Sequence, residues 1–86
     1  FINALGEYAT TDPEIVQILH AYKSGLLAQL QTLCAEFGAA DPAELARALL
    51  LLVDGAIVMH MTLDDPGSYD RAKAVAKPLL DAARAG

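Results

Sequence analysis

Apolar positions recur every three or four residues through most of this 86-residue chain, and short clusters of breakers divide the pattern into four pieces. The breaks fall at Thr10-Thr11-Asp12-Pro13, at Gly38-Ala39-Ala40-Asp41-Pro42 and at Asp64-Asp65-Pro66-Gly67-Ser68. A spacing of three and four is the mark of an amphipathic helix, and β-branched residues nowhere alternate with polar ones. Alanine and leucine dominate, which favours helix. The chain reads as all-α, a helical bundle with helices at about 1–10, 13–37, 42–63 and 68–84.

Each piece carries its own signals. In the first, Phe1, Leu5 and Tyr8 share a helical face, as the end of a helix would place them. The second opens with Asp12 as N-cap and Pro13 at the first helical position, where both are favoured. Ile15, Leu19, Tyr22, Leu26, Leu30, Leu33 and Phe37 form its stripe, Gly25 is a weak point within it, and Gly38 supplies the left-handed stop. The third opens with Asp41-Pro42-Ala43-Glu44, spaced as a capping box. Its body is apolar almost all round. Leu45, Leu49, Leu52, Ala56, Met59 and Leu63 make one face, and Leu50, Val53 and Ile57 a second. A third row mixes Glu44, Arg47, Leu51, Asp54 and Val58. Such a helix must be covered on several sides, and neighbours in a chain this short cover two. The fourth piece sets Tyr69, Ala72, Val75, Ala76, Leu79 and Ala83 against Asp70, Lys73, Lys77, Asp81 and Arg84. Pro78 removes an N–H and should bend it.

Composition sharpens the problem of cover. Hydrophobic residues make up 55% of the chain and charged residues only 20%, yet a domain of this size buries only about 60% of its unfolded surface. The surplus excludes a disordered tail. It leaves a partner surface, a membrane, or removal from a larger protein. Arg47, Asp54 and the Asp64-Asp65 pair break the apolar runs into pieces too short to span a membrane, which needs roughly 20 apolar residues. No basic leader precedes an apolar stretch, and Cys34, a lone thiol that cannot form an internal disulfide, makes a reducing cytoplasm the expected setting. A net charge of -5 with scattered cations argues against nucleic-acid binding by these residues.

Chemistry is sparse. His20 and His60 are the only histidines, with no spacing suited to a metal. His60 reads as a core-edge histidine with one hydrogen-bond partner, and His20 as boundary packing. Cys34 reads as a buried, inert thiol, because no base stands beside it in the pattern. No glycine-rich phosphate loop occurs. No enzyme activity, metal or cofactor is expected. Asp54, followed by Gly55 inside an apolar helix, is the most informative charge. A buried carboxylate needs a partner, which Arg47 of a second copy could supply in a two-fold dimer; the alternative is that Asp54 faces solvent or a loop.

The order of these openings resembles a known pattern. Phe1 to Tyr8 precede Asp12-Pro13-Glu14, then come Asp41-Pro42-Ala43-Glu44 and Leu49-Leu50-Leu51-Leu52-Val53-Asp54-Gly55-Ala56. Asp65-Pro66 then precedes an alanine-rich helix. Over essentially its whole length the chain resembles the C-terminal half of a tetracycline-repressor (TetR) family transcription regulator. The resemblance implies an all-helical homodimer in which the last two long helices of each subunit form a four-helix bundle. It also implies a small-molecule effector. DNA would be bound only through an N-terminal helix-turn-helix domain outside this sequence. Carried onto this chain, Arg47, Leu51, Asp54, Gly55, Val58, Ala72, Val75, Ala76 and Leu79 become candidates for the dimer interface. By position, Phe1, Tyr8, Tyr22 and Met59 become candidates for the ligand pocket. The alternative is a stand-alone helical adaptor that packs on an unrelated protein.

Overall fold

A computed structural model of the chain describes residues 12–84. It contains three helices: α1 (Pro13–Phe37), α2 (Pro42–Thr62) and α3 (Ser68–Ala83). The expected helix over about 1–10 lies outside the described residues.

Local chemistry sets these boundaries. The Asp12 carboxylate accepts the Glu14 N–H at 3.0 Å, and Asp41 accepts the Glu44 N–H at 3.2 Å, each with proline at the start of the helix. These caps satisfy amide groups that have no partner inside the helix. Gly38 ends α1 at φ 98°, a left-handed conformation that glycine adopts without steric cost. The Gly38 and Ala39 N–H groups then donate to the carbonyls of Ala35 and Cys34. Neither Gly25 nor Pro78 interrupts its helix.

α2 lies in the middle, with α1 and α3 packed along it. The Cα envelope is only 12 Å across its thinnest direction, so the helices form a single layer. At one end the layer closes. Cys34, Leu45 and Ala46 are buried there, with Leu27, Leu30, Phe37, Leu49, Leu79, Leu80 and Ala83 packed around them. The Ala40 N–H donates to the Ala83 carbonyl at 2.9 Å, and the Arg84 guanidinium sits 4.5 Å from the centre of the Phe37 ring. A cation over an aromatic face is attracted by the ring quadrupole.

α1 turns to α2 only part of its apolar stripe, together with one flank of it. Of that stripe, Leu30 and Phe37 pack against the core, whereas Tyr22 and Leu33 are 65% and 59% exposed. Leu27 and Cys34, on its flank, pack inward instead. A single neighbour touches one edge of a broad apolar stripe, and the docking angle decides which edge. His20 is exposed rather than boundary-packed.

Arg47 and Asp54 do not cut α2 into short pieces. The helix is continuous over 21 residues and, by length and composition alone, could cross a membrane, contrary to the expectation from its charges. One such helix is weak evidence for a membrane. Asp54 is held at the junction of α1 and α2 by Lys23 of α1, at 2.7 Å between Nζ and Oδ1, with both side chains partly exposed.

Candidate functional site

Ser68 fixes the seam between α2 and α3. Its hydroxyl donates to the Ala56 carbonyl at 2.9 Å, and both residues are buried. Asp65 orders the turn before it: its carboxylate accepts the Gly67 N–H and pairs with Arg71. His60, half-buried, donates from Nδ1 to the Asp65 carbonyl at 3.3 Å and lies 5.1 Å from the Tyr69 ring. It has the single hydrogen-bond partner expected of it.

Two grooves run along this seam, and Leu52, Ala56 and Ala72 belong to both. The helical period puts their other walls on opposite flanks of these shared residues, and so on opposite sides of the layer. The first has a volume of about 220 Å³ and is walled by Leu51, Gly55 and Met59 from α2 and by Arg71 and Val75 from α3. The second, about 240 Å³, is walled by Leu49 and Val53 from α2 and by Tyr69, Lys73 and Ala76 from α3.

The first groove belongs to a wider apolar face. Leu51 is 75% exposed, and Val58 and Val75 are exposed beside it. A side chain added at Gly55 would meet nothing within 4 Å, so the glycine opens a flat approach to the helix backbone. The 3.6-residue period places Arg47, Leu51, Gly55 and Val58 on this side of α2. Five of the nine interface candidates, Arg47, Leu51, Gly55, Val58 and Val75, thus share an exposed face, with Ala72 on the floor of its groove.

Of the remaining three, two lie elsewhere, and Asp54 follows the period of this face at its border with α1. Leu79 packs against the chain's own core, and Ala76 lines the opposite groove. Asp54 has Lys23 as its partner within the chain, so a second copy's Arg47 is not required to neutralise it. Lys23 escapes a sequence reading because 31 residues separate the pair.

The pocket candidates do not converge. Phe1 and Tyr8 lie outside the described residues. Tyr22 borders a depression formed with Ala21, Gly25, Leu26 and Gln29, all on α1, whereas Met59 lines the first seam groove. Sequence reasoning missed Tyr69 and Lys73 as groove walls. They stand one turn apart on α3, and that spacing was the available signal. Cys34 is buried and free, as expected. Among the described residues no three His, Cys, Asp or Glu side chains gather as a metal site would require.

The family model described as tetracyclin repressor-like, C-terminal domain, matches residues 7–85. No curated protein and no solved structure matches the chain. The match takes in all three helices, the seam and both grooves, and the chain belongs to the tetracycline-repressor-like C-terminal domain family.

Proposed function

We propose that this domain is the dimerisation and effector-sensing part of a cytoplasmic TetR-type transcriptional repressor, with no catalytic role. In this reading α2 and α3 of two copies meet as a four-helix bundle about a two-fold axis. DNA is read by a helix-turn-helix domain outside these residues. An effector held by the sensor helices favours one arrangement of the pair and so changes the spacing of the DNA-reading heads.

One observation carries the dimer: Leu51, Gly55, Val58 and Val75 are exposed together, although α2 is already packed on both flanks and α3 on one. A contiguous apolar face of this kind marks an interaction surface. Because the face is self-contained on α2 and α3, a two-fold axis can oppose it to itself, as isologous interfaces require.

Sedimentation of the chain at micromolar concentration tests this. The expected species is a dimer. Leu51→Asp puts a charge into the seam and should weaken association by roughly 100-fold or more. Gly55→Gln should also dissociate the pair, while better helix propensity keeps the protomer folded. A wild-type monomer, or dimers of undiminished affinity in both variants, overturns the assignment.

A further inference from the structure

We propose that the second seam groove binds a carboxylate with an apolar body, its head at Lys73 and its chain along Val53 and Ala76. This deepens the effector-sensing reading and rests on it, because it names the chemical class of the effector.

The groove is almost wholly apolar. Leu49, Leu52, Val53 and Ala76 supply aliphatic walls and floor, and no Asp or Glu lines it. Its volume is about 240 Å³, and its lining is mostly aliphatic. That suits a medium-length acyl chain rather than a hydrated polar ligand. Apolar walls with one placed charge are the usual build of a small-molecule site.

The charge is Lys73. The ion pairs among the described residues are Lys23 with Asp54 and Arg71 with Asp65, and Lys73 takes part in neither. Its aliphatic stem can lie along the groove while the ammonium stays at the wet rim. An anionic head completes that arrangement, whereas a cationic head is repelled. Tyr69, one turn earlier, forms the neighbouring wall, and its ring is held by the contact with His60. The wall is therefore set before a ligand arrives, which lowers the ordering cost of binding.

The test is calorimetric titration of the chain with decanoate and with 1-decanol, both as dilute monomers. Decanoate should bind about tenfold more tightly, as a charge-assisted contact at a partly wet site allows. Lys73→Gln should erase that preference while leaving decanol binding unchanged. Val53→Trp, which enters the groove from its exposed side, should abolish binding of both, with helicity by circular dichroism retained. Equal affinity for acid and alcohol, an unchanged preference in Lys73→Gln, or no binding by the wild type overturns the proposal. Sedimentation of the same samples separates the two readings. A dimer that ignores decanoate removes the ligand assignment alone, and a monomer that binds it removes the dimer alone.

Discussion

The two ends of the helical layer are built from equally apolar sequence and finish differently. At the closed end, the last turns of α1, the first of α2 and the last of α3 bury Cys34, Leu45 and Ala46. There Phe37 meets Arg84 and Ala40 is hydrogen-bonded to Ala83. At the open end Val16, Ile18, Tyr22, Met61 and Leu63 stay exposed. Its backbone is nonetheless well specified, by Asp12 at the start of α1 and by Asp65 in the turn before α3. Capping and turn chemistry is local and operates at both ends. Burial of large side chains needs a second and third element at the right distance, and the chain brings three helices together at one end only. Hydrophobicity therefore marks surface that must be covered without naming what covers it.

The sharpest way to break this comparison is to cut into the closed end. Leu45 is 3% exposed at the point where all three helices meet. Leu45→Ala removes its contacts and leaves a cavity, at a cost of about 3 kcal/mol. Urea unfolding at fixed protein concentration measures it, since association contributes to apparent stability. For a domain this small the loss is a large share of the total. A cost below about 1 kcal/mol would mean that the closed end is not the chain's core.

Ser68→Ala probes the seam between the two ends and should cost less, about 1 kcal/mol. The Ala56 carbonyl keeps its intrahelical partner, so the variant loses a hydrogen bond without leaving a buried acceptor unpaired. A much larger loss in the same unfolding measurement would place the seam, rather than the closed end, at the centre of stability.

Helix positions were legible because their signals are local: Asp12-Pro13, Asp41-Pro42 and Gly38 act within a few residues of themselves. The exposed face of α2 was legible for a related reason. Leu51, Gly55 and Val58 follow the helical period, and a helix apolar on every side exceeds what two neighbours cover. Legibility ended where two helices must dock before a relation exists. Lys23 and Asp54 are distant in sequence, and only the crossing of α1 and α2 brings them together. For the same cause the apolar stripe of α1 did not reveal that docking would leave Tyr22 and Leu33 exposed and bury the flank that carries Leu27 and Cys34. Leu79 looked like interface, being on the apolar face of α3, but that face is used up by the chain's own α2 near the closed end. Lys73 looked like ordinary solvated charge until the seam placed it at the rim of an apolar groove.

The smallest expected effect is the most discriminating. Ile18 is as apolar as Leu45 but 67% exposed at the open end. Ile18→Ala deletes comparable apolar volume where little of it has left water. The change in unfolding free energy should stay within about 0.5 kcal/mol, near the limit for surface substitutions. Helix propensity even favours alanine over isoleucine slightly, which offsets part of any lost contact. The ratio between the two truncations, rather than either value, measures how unequal the ends are in solution. A loss near 2 kcal/mol at Ile18 would mean that something covers the first turns of α1, and the open end would then be an interface in its own right.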